Sequence, residues 1–444
     1  MYGLVFVGAT VVLAKTSLTE HELHYQMKDG DATHVLTDPQ NAAKVLSVHD
    51  QLPLKGLFVM GATSGFVSVS AFSELDASGY KEVTGIVPTD TVAALCYTSG
   101  TTGLPKGVEI SHYSFVANLH TSKACLSSNE EDVLLAWNPI THASGFVYTM
   151  VAACIGSTCV IVSPALRFEQ IVDYVDRYKV TTFASFPTRL RQIVGEMLRR
   201  GVRLDSVRKI NVGGSVVSPS LAEAVCRAFG DLLCLRNLYA LTESCGIVCS
   251  PPADEISAGY LGYPAPMVEI KIIDTETGEK LGPNESGELC YRIPSTMKGY
   301  YNKPEATAEF FDQEGWCHSG DMCYYDVDGR FYFVERLKEL IRCMDNQVAP
   351  AELEELILKA GGECLAEVAV AGVPHHEYGE AAAAYVVLAT GSERVCTEDI
   401  VARIKNAVAE SCAPHKHLYG GVHFVERLPR TETGKVKRKA LCQA

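Results

Sequence analysis

Between Val92 and about Pro264, apolar runs of strand length alternate with longer helical patterns, and this alternation is the strongest constraint on the fold of the 444-residue chain. Residues 93–97 and 159–162 have the length and composition of buried strands, whereas residues 220–229 have the apolar spacing of a helix. Strands that alternate with helices predict a layered α/β domain.

The pattern changes after this region to short strands separated by Gly, Pro and Asp turns. Residues 268–273, 287–293 and 329–335 predict such strands, and hence a small β-rich subdomain. A charged stretch then leads to a helix that is predicted to begin at Pro350 and carries early glutamates. A compact α+β module is expected from there to the end of the chain.

The fold class predicted from these patterns is therefore α/β. A large N-terminal domain, residues 1–337, combines layered α/β subdomains with the small β subdomain. A mobile α+β C-terminal domain, residues 338–444, follows it, and Lys338 is the expected hinge.

Composition excludes several classes of protein. The net charge of −14 disfavours a nucleic-acid partner. The 16 cysteines show no CxxC spacing, which predicts reduced thiols in an intracellular compartment and gives no sign of a metal cluster. No apolar run is long enough for a transmembrane segment, since residues 1–14 are too few, and we expect them to form a buried helix end and a strand.

The sharpest local feature is the loop of residues 97–107, YTSGTTGLPKG, between two apolar segments. Glycines permit close backbone approach to phosphate oxygens, hydroxyl groups donate hydrogen bonds, and Lys106 adds a cation. Such a loop suits a pyrophosphate leaving group. It is not a P-loop, because Gly107 and Val108 follow the lysine and a strand precedes any helix.

The loop and six motifs that follow it in order resemble the adenylate-forming superfamily of acyl-CoA synthetases, coumarate ligases and beetle luciferases. The resemblance covers residues 1 to about 441. The six motifs are GGS at 213–215, YALTE at 239–243, GYYNKP at 299–304, SGD at 319–321, ERLKELI at 335–341 and TGK at 433–435.

The resemblance implies a nucleotide site for ATP. Tyr239 offers an aromatic face to adenine, and Asp321 and Arg336 contact the ribose. The expected nucleotide-binding residues are Thr98, Ser99, Gly100, Thr101, Thr102, Gly103, Lys106, Gly213, Gly214, Ser215, Tyr239, Asp321 and Arg336.

By the same resemblance, Lys435 is the catalytic lysine, and Thr242 donates to the α-phosphate. Glu243 helps to hold Mg²⁺, a hard cation that prefers carboxylate and phosphate oxygens. His142 falls where the family carries a gate between the acyl pocket and the thiol channel, and the alternative is a purely structural role. Residues 437–439, KRK, are expected to form a solvated basic face without a role.

The acyl pocket is expected to be mostly apolar, which favours a fatty or aryl acid over an amino acid. Its predicted lining is Ser144, Phe146, Phe186, Leu238 and Ala240.

Three departures from the family pattern bear on activity. Arg342 and Asp345 replace a lysine and a glycine of the hinge motif, which is expected to impair thioester formation more than adenylation. Leu238 and Ala240 replace glycines and predict a narrower pocket. The motif spacing also predicts that about 100 residues of the large domain, the size of a small domain, are missing before Met1.

The implied function is ATP-dependent activation of a carboxylic acid to an acyl adenylate and its transfer to coenzyme A, with ATP, Mg²⁺ and coenzyme A as cofactors or substrates. The alternatives are a luciferase-like enzyme, transfer to a carrier protein, and a truncated relative that binds without turnover. The cytoplasm is the default location. Peroxisome and mitochondrion stay open because residues 441–444 are not an S-K-L signal and a transit peptide would lie in the missing portion. The sequence does not fix the oligomeric state.

Overall fold

This computed structural model describes residues 2–52, 54–98, 104–126, 128–344, 346–389, 397–431 and 434–442, with the backbone alone at Tyr2 and Ala143. Residues 99–103 of the glycine-rich loop and Asp345 of the hinge motif lie outside these ranges, so the predictions for Ser99, Gly100, Thr101, Thr102, Gly103 and Asp345 stay predictions. Within the described residues, the strands form five sheets.

The N-terminal segment contains a small layer of its own, in which β2, β3 and β4 form a parallel sheet beside α2 and α3. Its elements are α1 (Tyr2–Phe6), β1 (Val11–Leu13), α2 (Glu20–Asp29), β2 (His34–Thr37), α3 (Ala42–His49), β3 (Gly56–Val59) and β4 (Val67–Ser68). Strand β1 confirms the predicted strand, but the prediction of a buried helix end was wrong. Leu4, Phe6 and Val7 are 44%, 69% and 55% exposed, because α1 finds little core to cover them.

The predicted layered α/β region is confirmed in the centre of the chain. Its elements are β5 (Val92–Thr98), β6 (Lys106–Ser111), α4 (His112–Cys125), β7 (Val133–Ala136), α5 (Ala143–Ile155), β8 (Thr158–Ile161), α6 (Phe168–Tyr178), β9 (Thr182–Ser185), α7 (Pro187–Arg200), β10 (Lys209–Gly213), α8 (Pro219–Phe229), β11 (Cys234–Leu241), β12 (Gly246–Ser250) and β13 (Tyr263–Pro264). Seven of these strands form one sheet in the order β13-β12-β11-β10-β9-β7-β8. Pairs from β8 to β11 are parallel, and β12 and β13 are antiparallel.

Local sequence features explain where the helices on this sheet begin and end and which face of each is buried. Helix α7 begins with Pro187 in its first turn, where a missing N–H costs nothing, and ends at Gly201 in a left-handed conformation. Leu190, Ile193 and Met197 recur at helical spacing and are buried against the sheet. Amphipathic spacing therefore accounts for this element and its buried face.

The β subdomain follows, with β14 (Glu269–Ile273), β15 (Gly287–Arg292), β16 (Gly299–Tyr300), α9 (Pro304–Phe310), β17 (Cys317–Tyr325) and β18 (Phe331–Arg336). Four of its strands form an antiparallel sheet in the order β14-β15-β17-β18. Strands β14, β15 and β18 lie close to the predicted boundaries, whereas β17 was not predicted. Strand β16 instead joins β1, β5 and β6 in a separate sheet. One buried cluster packs both sheets together.

The C-terminal module contains β19 (Ile341–Cys343), β20 (Asn346–Val348), α10 (Pro350–Gly361), β21 (Leu365–His375), β22 (Gly379–Leu388), α11 (Thr397–Ser411), β23 (Val422–Phe424) and α12 (Arg438–Leu441). Its sheet, in the order β20-β19-β22-β21 with β23 beside β22, and helices α10 and α11 enclose a separate core. Pro350 lies in the first turn of α10, as predicted.

No helix among the described residues combines the length and hydropathy that a bilayer crossing requires.

Candidate active site

The predicted motifs meet at the carboxyl edge of the seven-stranded sheet. His142 follows β7, Phe186 follows β9, Gly214 follows β10, and Thr242 and Glu243 follow β11. Parallel strands place their carboxyl ends at one edge, so residues more than 100 positions apart share a cleft. The edge is the usual ligand site of open α/β sheets.

The glycine-rich loop connects β5 and β6, which pair antiparallel with Thr98 opposite Lys106. The Lys106 ammonium lies 4.8 Å from the centroid of the Tyr300 ring. The Tyr300 hydroxyl in turn donates to Glu243 Oε1 at 2.9 Å. The hairpin cation and the predicted metal-binding carboxylate are therefore linked through one tyrosine.

Thr242 and Glu243 lie in a tight turn between β11 and β12, so this pair is not the start of a helix. The backbone N–H of Cys245 donates to the Thr242 carbonyl at 3.1 Å. Among the described residues, no hydrogen bond engages Glu243 Oε2, which stays available to a cation or its water.

Asp321 lies buried beside the cleft and joins two elements. The Tyr239 hydroxyl donates to Asp321 Oδ2 at 2.6 Å, and Arg336 Nε lies 3.5 Å from Oδ1. Burial raises the pKa of Asp321, while Arg336 and the Tyr239 hydroxyl oppose that rise. Tyr239 is itself only 9% exposed, and its hydroxyl is engaged by Asp321, the carboxylate that is predicted to bind ribose.

Lys435 reaches the cleft from the C-terminal module. Its Cε lies 3.9 Å from the position that a Cβ on Gly214 would occupy, and Gly214 has a φ of +88°. The Thr188 hydroxyl donates to the Gly434 carbonyl at 3.3 Å. This bond holds Gly434, the residue before Lys435, against α7. The structure therefore brings the predicted catalytic lysine to the glycine turn at 213–215.

The cleft is strongly cationic around this lysine. Water reaches Lys435, but atoms of both domains surround its ammonium, and this desolvation together with Arg336 lowers its pKa to about 8. The pKa of Lys338 is also lowered to about 8 by burial and by Arg336. Asp321 and Glu243 counteract both shifts. An anionic ligand would restore the ordinary pKa of both lysines.

His142 has a defined structural role as the N-cap of α5. Its Nδ1 accepts from the Ser144 backbone N–H at 3.2 Å and lies 2.7 Å from the Ser144 hydroxyl. Burial and the nearby Lys15 and Lys435 lower the pKa of His142 to about 4, so its imidazole is neutral at pH 7. Its ring also meets Phe186 edge-on at 5.7 Å, which places it between the acyl region and the lysine.

The predicted acyl-pocket residues fall into two groups. Ser144, Phe186 and Ala240 border the cleft, and the Phe186 ring lies directly under Gly214. Leu238 packs inside a cluster with Val151 and Ile247. Phe146 stacks on Phe115 at 4.7 Å in the core beneath the cleft. The role of all five residues in the acyl pocket stays a prediction.

Two family models match the chain at the positions of these sites. The model of the AMP-binding enzyme matches residues 1–301, and that of the AMP-binding enzyme C-terminal domain matches residues 352–435. The chain belongs to the AMP-binding enzyme family.

Among curated relatives of this AMP-binding enzyme, luciferin 4-monooxygenase from Photinus pyralis is 33% identical over 99% of the chain and 80% of the relative. 4-Coumarate–CoA ligase 2 from Solanum tuberosum is also 33% identical, with the same coverage. Among solved structures, ATP-bound MatB from Rhodopseudomonas palustris is 25% identical and superposes with a TM-score of 0.86, covering 99% of the chain and 84% of that structure. Apo MatB, with the same coverage and 26% identity, gives 0.74.

Sequence reasoning assigned no role to two residues of this AMP-binding enzyme that organise the site. Tyr300 supports both Lys106 and Glu243, although it belongs to a motif that the sequence analysis quoted. Its position in the motif at residues 299–304 was the one sequence signal that could have marked Tyr300 as a site residue.

The second is Arg438, for which the predicted solvated basic face was wrong. Its side chain is 18% exposed and contacts carboxylates of Glu335, Glu339 and Glu354. Helix α12 docks against α10 and β18 and turns this residue inward. A run of three basic residues in the sequence does not reveal that packing.

Proposed function

We propose that this AMP-binding enzyme uses ATP to convert a carboxylic acid to an acyl adenylate and then transfers the acyl group to coenzyme A. The observation that carries the proposal is the position of Lys435. A cation from the C-terminal module lies at the glycine turn, beside Asp321, Arg336 and Glu243.

In the first half-reaction, the substrate carboxylate attacks the α-phosphate of ATP, and the bond to pyrophosphate breaks. Charge grows on the phosphoryl oxygens as the new bond forms, and the Lys435 ammonium and the Thr242 hydroxyl stabilise that charge. Asp321 and Arg336 hold the ribose, and Lys106 draws the departing pyrophosphate toward the hairpin.

The residues present fit a magnesium ion. Glu243 supplies one carboxylate oxygen that accepts no hydrogen bond among the described residues, while its other oxygen is fixed by Tyr300. A magnesium ion bound there with the phosphates neutralises part of the triphosphate charge.

In the second half-reaction, we propose that the C-terminal module, residues 338–444, rotates about Lys338 so that a thiol can attack the acyl adenylate. The rotation must break the Thr188–Gly434 hydrogen bond, the Ala351 N–H to Glu335 hydrogen bond and the Glu335–Arg438 ion pair. Such contacts are few among the residues that the structure describes, as expected for a domain that moves between two positions.

The domain arrangement supports an assignment of this structure to the adenylating state. The TM-score is 0.86 against ATP-bound MatB and 0.74 against apo MatB at equal coverage. That difference accords with a C-terminal module placed for the first half-reaction.

The side chains that border the acyl region favour a fatty or aryl acid over an amino acid. Phe186 and Ala240 are apolar, and the Ser144 hydroxyl is engaged in a hydrogen bond with His142 Nδ1. None of these residues supplies a carboxylate for a substrate amine.

The test is pyrophosphate exchange into ATP with a panel of carboxylic acids, followed by thioester formation with coenzyme A. We expect Lys435→Ala to reduce exchange by about 100-fold or more, the loss typical of a removed charge-stabilising group. The matched control is Lys437→Ala, two residues away and exposed, which should retain exchange.

Lys435→Ala should still form thioester from supplied acyl adenylate. Equal loss of both half-reactions in Lys435→Ala would contradict this division of labour. If the wild-type protein exchanges no pyrophosphate with any acid, the proposed reaction is wrong and the remaining function is binding of a nucleotide or an acyl group.

A second candidate is oxidation of the adenylate, as suggested by the 33% identity to luciferin 4-monooxygenase. Transfer to a carrier-protein thiol is a further variant of the second step. Thioester that forms only when coenzyme A is present supports the ligase reaction, whereas oxygen consumption or acylated carrier protein supports the alternatives.

A further inference from the structure

Three side chains with metal-ligand chemistry converge on the β subdomain, outside the cleft described above. Glu288 and Cys290 lie on β15, and His318 lies on β17 directly opposite Cys290. A bulge in the strand pairing separates Glu288 from Cys290 and turns both side chains toward the histidine. The spacing of these residues in the sequence gives no sign of this cluster.

The three ligand atoms lie close enough together for one tetrahedral ion, and the sulfur–nitrogen distance already has the value that zinc requires. One ligand atom from each residue lies within 4.8 Å of the other two. Cys290 Sγ is 3.6 Å from His318 Nδ1, and a tetrahedral zinc ion separates sulfur and nitrogen ligands by about 3.6 Å. His318 Nδ1 is 2.9 Å from Glu288 Oε2, which is a hydrogen bond in the metal-free protein.

The surroundings suit a partly enclosed cation. Cys290 is fully buried, and the side chains of Glu288 and His318 are 13% and 31% exposed, so an ion can enter along the histidine edge. The nearby Lys271 ammonium is paired with Asp312 at 3.3 Å. Glu288 Oε1 also accepts from the Gly320 N–H at 2.9 Å, an outer contact that orients the carboxylate.

We propose that Glu288, Cys290 and His318 bind one zinc-like divalent cation, with water as the fourth ligand, and that its binding weakens nucleoside binding at Asp321. On binding, the Cys290 thiol loses its proton to solvent, and His318 gives up the Nδ1 proton that it donates to Glu288 while its Nε2 takes up a proton from solvent. Two bonds to the metal then replace the Glu288–His318 hydrogen bond. The metal site is independent of the reaction proposed above, whereas the coupling rests on the proposed nucleotide site at Asp321, so adenosine that does not bind at all counts against that nucleotide site and not against the metal site.

The coupling to Asp321 follows from geometry. Tetrahedral zinc separates nitrogen and oxygen ligands by about 3.4 Å, so the carboxylate and imidazole must move apart by roughly 0.5 Å. Both groups are tied to the ribose-binding turn, because Glu288 holds the Gly320 N–H and His318 precedes that turn by one residue. Gly320 has a φ of +68°, and Asp321 follows it.

Cobalt(II) is the probe, because its absorption reports thiolate coordination. Titration of the full chain should show one bound Co²⁺ with a thiolate-to-cobalt charge-transfer band. Cys290→Ser should remove that band, and His318→Gln should weaken Co²⁺ binding at least tenfold. Cys343→Ser, a buried thiol in the C-terminal module, is the matched control and should keep both properties.

His318→Gln keeps the test decisive if the buried Cys290→Ser variant does not fold. Unchanged Co²⁺ affinity and spectrum in His318→Gln, or in a folded Cys290→Ser, would overturn the site.

Adenosine tests the coupling, since it carries the ribose and has no phosphate to chelate the ion. Zn²⁺ should lower adenosine affinity at least threefold in the wild type and leave it unchanged in His318→Gln. An adenosine affinity that does not respond to Zn²⁺ in a chain that binds Co²⁺ would overturn the coupling.

Discussion

At the scale of single residues, the cleft contains both cationic side chains and carboxylates. Lys106, Lys338 and Lys435, together with Arg336, face the carboxylates of Asp321 and Glu243. The excess of cations over carboxylates among these six suits a triphosphate. Burial, with a smaller contribution from Arg336, lowers the pKa of Lys338 and of Lys435 to about 8, so both lysines change charge in the pH range where enzymes are assayed.

We expect kcat/KM for ATP to fall at high pH. The pKa of Lys435 is lowered to about 8, so its ammonium loses the proton as pH rises through that value. Above pH 8, kcat/KM should fall by about tenfold per pH unit, because this parameter reports the free enzyme. The measurement is the initial rate of pyrophosphate exchange from pH 6 to pH 10.

Lys435→Arg provides the control, since a guanidinium stays charged over this range. If kcat/KM of the Lys435→Arg variant still falls at high pH, we assign that fall to Lys338, whose pKa is also about 8. The fall should then disappear in the double variant that also carries Lys338→Arg. A wild-type profile that stays flat to pH 10 would show that neither lysine acts as the protonated form.

Gly214→Ala should destabilise the protein and displace Phe186. Gly214 has a φ of +88°, and a Cβ there would lie 3.0 Å from the Phe186 ring. The left-handed backbone alone costs about 1–2 kcal/mol for a residue with a Cβ. Urea unfolding measures the loss, and nucleotide affinity should fall with it.

Gly195→Ala is the opposite control. Gly195 lies within α7, and its added Cβ would meet no atom within 4 Å. Alanine there should stabilise the helix by about 0.5–1 kcal/mol. Equal effects of the two substitutions would contradict the backbone argument.

At the scale of elements, strand ends and helix starts place the functional groups. His142 caps α5 while it faces the cleft, and the β5–β6 hairpin presents the glycine-rich loop. Helix α12 is only four residues long, yet its Arg438 joins β18, the hinge and α10. Such a short helix is held by tertiary contacts, since an isolated helix of this length is unstable.

Arg438→Ala should reduce stability by about 3 kcal/mol, because it leaves a cluster of carboxylates without their cation. Glu335 would be the most affected, as burial already raises its pKa to about 7. Thermal or denaturant unfolding of the full chain measures the change.

Lys437→Ala, at an adjacent exposed position, should change stability by no more than about 0.5 kcal/mol. A similar small effect of Arg438→Ala would show that the ion cluster contributes little in solution.

At the scale of the whole molecule, the proposed nucleotide site draws residues from the large domain and from the C-terminal module. The large domain supplies Gly214, Glu243 and Asp321, and the C-terminal module supplies Lys435. The direct contacts between the two include the Thr188–Gly434 hydrogen bond and the Glu335–Arg438 pair. A ligand that touches both should therefore stabilise their arrangement.

MgATP at about 100 times its dissociation constant should raise the free energy of unfolding by about 2.7 kcal/mol. The expected readout is an upward shift of the melting temperature in a thermal scan. Lys435→Ala should show a smaller shift, since it removes the contact from the C-terminal module. No shift with wild-type protein at saturating MgATP would argue against nucleotide binding.

Much of the fold could be predicted from local pattern. The strand and helix alternation gave the α/β class of the central region and located β5, β8 and α8, and turn residues gave β14, β15 and β18 within a few positions. The exposure of α1 and the inward turn of Arg438 could not be predicted, because burial depends on which distant elements pack nearby. The same limit applies to Leu238 and Phe146, whose packing depends on α4 and α5.

The sequence by itself determined the family, the order of the motifs and the chemical identity of each candidate site residue, because these depend on local chemistry and spacing. Only the tertiary structure decided that Lys435 meets Gly214, that Tyr300 links Lys106 to Glu243, and that Glu288, Cys290 and His318 converge. The physical reason is that such contacts are set by strand register, sheet order and domain docking, which join residues far apart in the chain.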